Sequence, residues 1–207
     1  MLADVFTPVG IYLRLRDRFR DTILLESTDN HAAENSWSFI GVNAFAGIEI
    51  SAGEKIEKKL PGQTAEVVPS NQGQAIADTL NDFMQQFEVA PSSNKAATFA
   101  QGLYGYTSYD AIRFFETIPG ATFKKDENAI PLMRYRLYQY VIAINHFKDE
   151  LFICENEIDG VASDKESLIS LIRGRDVPVY PFSISGNESS NMSDDDYRNM
   201  VKEGIAH

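Results

Sequence analysis

Two short segments near the start of the chain constrain its fold more than any other part of the sequence. The first, residues 23–27, is an apolar Ile-Leu-Leu run that stops at Glu26 and Ser27. In the second, residues 36–41, aromatic residues alternate with serines. These patterns predict a buried strand and a strand with one aromatic face. The carboxylate and hydroxyl at the end of the first strand can bind an ammonium group. Two ordinary strands joined by a polar loop explain the same pattern.

Length and charge limit the possible classes of protein. The chain has 207 residues, is 43% hydrophobic and carries a net charge of −11. It can bury a substantial core, as one domain or as a large part of a bigger protein. An acidic chain repels nucleic acids and anionic membranes, so we expect neither as a partner. The single cysteine, Cys154, forms no internal disulfide, and the N-terminus lacks the features of a signal peptide; both favour the cytoplasm.

Periodicity and turn residues predict a mixed chain of helices and strands. Thr7 and Pro8 predict the start of a helix, although the alternation that follows also permits a strand. Further helices are predicted at 74–87, 110–116, 163–173 and from 193 onward. Strands are predicted at 22–27, 36–43, 45–51, 99–109, 132–145 and 150–155, with a charged strand or turn at 54–60. Gly102 and Gly105 predict a close backbone approach or a bulge within their strand. Segments 90–97 and 177–192 are predicted linkers.

The residues show no catalytic set. Phosphate-loop, Cys-x-x-Cys and His-Glu-x-x-His motifs are absent, and His31, His146 and His207 are scattered. A Ser/His/Asp triad stays possible, but the sequence has no nucleophile elbow. The aspartates at 194–196 complement the dipole of the final helix, which explains them without a bound cation. The chain ends at His207 without a helix stop signal, so we expect it to be part of a larger protein. Two hypotheses stay open: a regulatory and scaffolding portion of a larger enzyme, or a free-standing module that binds small molecules or partners.

Several segments, taken in order, resemble component I of anthranilate synthase. This family of chorismate-using enzymes also includes the large subunit of aminodeoxychorismate synthase. The matching segments are 7–15, Leu-Leu-Glu-Ser at 24–27, Trp-Ser-Phe-Ile-Gly at 37–41, G-x-x-G-Y-x-x-Y-D-x-x-R at 102–113, and Met-Ser at 192–193 with Tyr197 and Val201. The Leu-Leu-Glu-Ser segment at 24–27 and the glycine-aromatic block at 102–113 carry most of the specificity.

The resemblance implies an α+β fold that is part of a four-layer αββα sandwich with orthogonally packed, mainly antiparallel sheets. Residues 1–185 would form an N-terminal regulatory and scaffold domain. Residues 186–207 would be a linker and the first helix of the chorismate-binding catalytic domain. The whole protein would convert chorismate and ammonia to anthranilate and pyruvate in tryptophan biosynthesis. Its catalytic residues and its Mg²⁺ site would lie in the C-terminal portion, so the 207 residues alone are expected to be inactive.

The resemblance also implies a feedback site for tryptophan and a partner. Glu26 and Ser27 correspond to inhibitor contacts, and Ser38 and Phe39 would contribute through backbone and ring. Ser36 replaces the arginine usual in the family, so an arginine contact is not implied there. The partner is a glutamine amidotransferase subunit that supplies ammonia. The alternatives are the large subunit of aminodeoxychorismate synthase, in the folate pathway, and a non-enzymatic module that binds small molecules.

Overall fold

The structure is a computed structural model that describes residues 6–27, 36–51, 55–69, 76–116, 130–178, 180–187 and 189–206. Its strands are β1 (Ile23–Leu25), β2 (Trp37–Ile50), β3 (Lys55–Lys59), β4 (Glu66–Pro69), β5 (Tyr104–Thr107), β6 (Met133–Asn145) and β7 (Glu150–Glu155). Its helices are α1 (Pro8–Leu15), α2 (Ile76–Met84), α3 (Lys95–Ala100), α4 (Lys165–Arg173) and α5 (Asp194–Ala206), with a 3-10 helix at Tyr109–Phe114. No helix in these ranges is long and apolar enough to cross a membrane.

The two long strands β2 and β6 form the centre of a seven-stranded antiparallel sheet. On one side, β1 pairs with the first half of β2 and β3 with its second half, while β4 extends the sheet beyond β3. On the other side, β5 and β7 pair with opposite ends of β6. The register of β2 shifts between Ala44 and Ala46, beside Asn43 with its φ of 60°. A bulge of this kind bends a sheet and increases its twist.

Helices bury the apolar faces of this sheet in separate clusters. Helices α1 and α4 cover the first half of β2 and the second half of β6, in a cluster that includes Ile11, Leu15, Leu168 and Ile172 against Ile40, Val42, Tyr140 and Ile142. Helix α2 and the 3-10 helix cover the other ends of these strands. Helix α3 packs against an aromatic group around Trp37. Helix α5 has no buried residue.

Most predicted elements are confirmed. The mixed helix and strand content and the antiparallel pairing are as expected, and the N-terminal segment is a helix. Its cap is formed by the Thr7 hydroxyl, which accepts a hydrogen bond from the Gly10 N–H at 3.0 Å. The strands predicted at 36–43 and 45–51 are one strand, because the bulge keeps β2 paired with β6. His31 and His207, and parts of the segments predicted at 54–60 and 74–87, lie outside the described residues.

The predictions for residues 90–109 were wrong in part. Lys95 to Ala100 form α3 rather than a linker and the start of a strand. The side chain of Asn94 caps this helix by accepting hydrogen bonds from the backbone N–H groups of Ala96 and Ala97, at 2.9 and 3.4 Å. A close backbone approach is found at Gly105 but not at Gly102, where an added Cβ would have no neighbour nearer than 3.5 Å. The linker interpretation missed that a cap followed by alanines favours a helix.

Candidate ligand site on strands β1 and β2

The predicted acidic end of β1 lies beside the start of β2. Leu25, the last residue of β1, pairs with Phe39 in the antiparallel register. Glu26 and Ser27 follow directly; the first is exposed and the second is half-buried. The structure therefore brings the predicted carboxylate and hydroxyl to the part of β2 that holds Ser38 and Phe39.

Aromatic side chains fill one face of this part of β2. The rings of Trp37 and Phe39 are nearly parallel, with centroids 6.3 Å apart. Phe99, from α3, contacts both rings edge-on at 5.4 Å. The ammonium group of Lys95, also from α3, lies 5.9 Å from the Trp37 ring centroid. The sequence interpretation missed Lys95 and Phe99 because it did not predict α3.

Trp37 leaves one hydrogen-bond donor unused. Its side chain is 8% exposed, and its indole Nε1 is buried without a hydrogen-bond partner among the described residues. An indole N–H can only donate, and most buried donors in proteins are paired. The buried indole N–H of Trp37 is therefore an exception among buried donors.

Ser38 lies on the opposite side of the strand from Phe39. It is fully buried, and its hydroxyl is 2.7 Å from Nε2 of His146. Its neighbour Ile40 packs into the core beneath α1 and α4, whereas Phe39 packs near α3. Because successive side chains of a strand point to opposite faces, Ser38 can reach the aromatic face through its backbone alone.

His146 is a contact that the sequence analysis missed. Its backbone N–H donates to the carbonyl of Ser36 at 3.0 Å, immediately after the last pair between β6 and β2. Its ring thus fixes the buried hydroxyl of Ser38 from the turn that follows β6. A histidine directly after a predicted strand was the available signal, but the partner strand could not be read from the sequence.

The glycine-aromatic block at 102–113 meets the candidate site through one ring contact. Tyr104, in β5, lies 5.7 Å from Phe39 between ring centroids, and its hydroxyl donates to the Phe99 carbonyl at 2.6 Å. Burial, with a smaller contribution from Cys154, raises the pKa of Tyr104 well above its usual range, so the hydroxyl stays protonated. The glycine-aromatic block therefore contacts the Trp-Ser-Phe-Ile-Gly segment at 37–41 in the folded chain.

Comparisons with curated proteins and solved structures indicate the same family that the sequence motifs resemble. No family model matches the chain. Anthranilate synthase component 1 of Acinetobacter calcoaceticus is 29% identical over 157 residues, which are 73% of this chain and 30% of that protein. The corresponding protein of Geobacillus stearothermophilus is 30% identical over 156 residues, which are 72% of this chain and 28% of that protein. The chain is homologous to anthranilate synthase component I.

The homology to component I covers most of this chain but a limited part of its relatives. The chain spans about 30% of the length of the curated relative from Acinetobacter calcoaceticus. The crystal structure of anthranilate synthase component I from Streptococcus pneumoniae matches 99% of the chain and 43% of its own, with a TM-score of 0.50. At 17% identity this likeness shows the fold alone. It extends the sequence homology to a shared arrangement of helices and strands.

Proposed function

We propose that this chain is the N-terminal part of an anthranilate synthase component I. The full-length enzyme would convert chorismate and ammonia to anthranilate and pyruvate in tryptophan biosynthesis. Ammonia would come from glutamine through a partner amidotransferase subunit. The homology supports this proposal, because it covers nearly three quarters of the chain but only about 30% of each relative.

Within that enzyme, residues 1–185 would form the regulatory and scaffold domain, and 186–207 the linker and first helix of the catalytic domain. The exposure of α5 supports this division. Its apolar side chains are all exposed, among them Tyr197, Met200, Val201 and Ile205. A helix with such a face usually packs against another element. In the whole protein it would pack within a four-layer αββα sandwich with orthogonal sheets.

The same proposal places a tryptophan feedback site at Glu26, Ser27, Ser38 and Phe39. The pairing of Leu25 with Phe39 carries this assignment, because it sets the acidic end of β1 beside the aromatic face of β2. The exposed carboxylate of Glu26 suits the ammonium group of a free amino acid. The ring of Phe39 suits the indole, with centroid separations of about 4.5–7 Å expected for such pairs.

The catalytic groups and the Mg²⁺ site are assigned to the rest of the full-length enzyme. In the part of the chain that the structure describes, no group of three or more His, Cys, Asp or Glu side chains could hold a metal ion. No magnesium ligand is therefore proposed here. The 207 residues alone should not consume chorismate.

The reaction product decides between the family members. The full-length protein is supplied with chorismate, Mg²⁺ and ammonium, and anthranilate is followed by its fluorescence, with the 207-residue chain as a matched control. We expect anthranilate from the full-length protein and none from the control. Chorismate consumption without anthranilate would instead indicate aminodeoxychorismate synthase. No consumption by the full-length protein would leave a binding module, and turnover by the control would contradict the division proposed above.

A further inference from the structure

A cavity that Glu26 does not line lies between the start of β1 and strands β5 and β6. Its volume is about 260 Å³. Its walls include Asp21, Ile23, Tyr104, Arg134, Arg136 and Tyr138. This volume equals that of about nine water molecules in the liquid, so it has room for one substituted ring.

Glycines of β2 make the space in which two of these side chains lie. A Cβ at Gly47 would come within 2.5 Å of Cδ and 2.9 Å of Nη1 of Arg136. A Cβ at Gly41 would come within 2.6–2.8 Å of three atoms of the Tyr138 ring. Larger residues at either position would push these side chains out of place. The backbone of β2 thus positions Arg136 and Tyr138 along the cavity wall.

The two arginines differ in how firmly they are held. Arg136 is 14% exposed; its Nη2 donates to Glu49 at 2.7 Å, and its Nη1 lies 3.3–3.4 Å from two backbone carbonyls. Arg134 is bound to Asp21 at 2.5 Å, these side chains are 39% and 42% exposed, and Nε of Arg134 lies 3.6 Å from the Glu49 carboxylate. An exposed ion pair contributes little to stability. A carboxylate from a ligand can therefore replace Asp21 on Arg134, while Arg136 and Glu49 stay in place.

The opposite wall of the cavity is apolar and aromatic. The rings of Tyr104 and Tyr138 meet edge-on, with centroids 6.4 Å apart. Ile23 packs in the same cluster as both rings. Burial raises the pKa of Tyr138 to about 12, so its ring stays uncharged at neutral pH.

We propose that this cavity binds an aromatic carboxylate. The carboxylate takes the place of Asp21 on Arg134, and the ring packs against Ile23, Tyr104 and Tyr138. Tyr104 also contacts Phe39 of the proposed tryptophan site, but Glu26, Ser27, Ser38 and Phe39 do not line this cavity. The proposal does not depend on the proposed reaction.

The test uses the full-length protein labelled with 3-fluorotyrosine. The ¹⁹F resonance of Tyr138, assigned with Tyr138→Phe, reports on the lining of this cavity. It is titrated with benzoate, with its uncharged analogue benzamide and with inorganic phosphate. We expect a saturable shift with benzoate and much weaker binding of the other two compounds. Equal binding of benzamide would overturn the carboxylate part of the proposal, and equal binding of phosphate would overturn its aromatic part.

Two substitutions should change benzoate affinity in opposite directions. Arg134→Gln should weaken it about tenfold, the usual loss when a charged hydrogen bond is removed. Asp21→Asn should strengthen it, because Asp21 competes for the same guanidinium group; asparagine also tolerates the φ of 52° at this position. Arg198→Gln, which breaks an exposed ion pair on α5, is the matched control and should change nothing. Weaker binding in Asp21→Asn, or no effect of either cavity variant, would overturn the proposal.

Discussion

The close approach of β5 to β6 at Gly105 gives a sharp test of the fold around the glycine-aromatic block. In Gly105→Ala the new Cβ would overlap the carbonyl oxygen of Arg134. It would also lie 2.8 Å from the carbonyl carbon of Arg134 and from Cα of Tyr135. These atoms are backbone, so they cannot move aside as a flexible side chain could. Strand β5 must therefore shift away from β6.

The cost follows from two contributions. Overpacking of a close-packed site typically destabilises a protein by about 1–3 kcal/mol. A shift of β5 also weakens its hydrogen bonds to β6, which pair over only four positions, at about 0.5–1.5 kcal/mol each. Alanine restricts the unfolded chain and returns about 0.4–1 kcal/mol. We expect Gly105→Ala to lower the free energy of unfolding by about 3 kcal/mol.

Urea unfolding of the 207-residue chain, followed by circular dichroism and Trp37 fluorescence, measures this change. Gly102→Ala is the matched control from the same motif, because a Cβ added there would have no neighbour closer than 3.5 Å. It should stay within about 1 kcal/mol of the wild type. If the two variants unfold at the same urea concentration, the inference of a backbone clash at Gly105 is refuted.

Three further predictions concern the candidate ligand site. Glu26→Gln should weaken tryptophan binding to the full-length protein by about 1.5–3 kcal/mol, and an unchanged titration calorimetry curve would exclude a role for this carboxylate. Ser38 and His146 should show a coupling of about 0.5–1.5 kcal/mol in a double-mutant cycle of unfolding free energies, with additive effects counting against their hydrogen bond. Asn94→Ala should lower the unfolding free energy by about 1 kcal/mol through loss of the α3 cap, and Asn94→Asp should restore most of it in the same denaturation experiment.

Local chemical signals predicted much of this fold. The Thr7 cap favoured a helix over a strand at the N-terminus, and the hydroxyl of Thr7 makes the expected hydrogen bond. The apolar run of β1 and the alternation in β2 predicted two strands at the observed positions. These features depend on neighbours in sequence, so the sequence contains enough information to find them. The predicted burial of β1 was wrong, because Ile23 and Leu24 are half-buried and Leu25 is exposed.

Features that depend on distant neighbours could not be predicted in the same way. The hydrogen bond between Ser38 and His146 spans 108 positions and follows from the register of β2 and β6. The backbone approaches closely at Gly105 and does not at Gly102, and this difference depends on which strand lies against each glycine. Helix α3 has only six residues, and its cap was hidden within a segment rich in Ser and Asn. For the candidate site, the residue types and the alternation of Ser38 with Phe39 were visible in sequence, whereas the groups that pack on each face, His146 and helix α3, were not.

Inhibition by tryptophan tests the central claim most directly. Initial rates of anthranilate formation are measured for the full-length wild-type protein and for Ser27→Phe as tryptophan is increased. We expect tryptophan to suppress the wild-type rate, and Ser27→Phe to lose inhibition while keeping its turnover, because the larger ring would occupy the proposed tryptophan site. Inhibition that is equal in both proteins would show that tryptophan binds elsewhere, and an uninhibited wild type would contradict the feedback site itself.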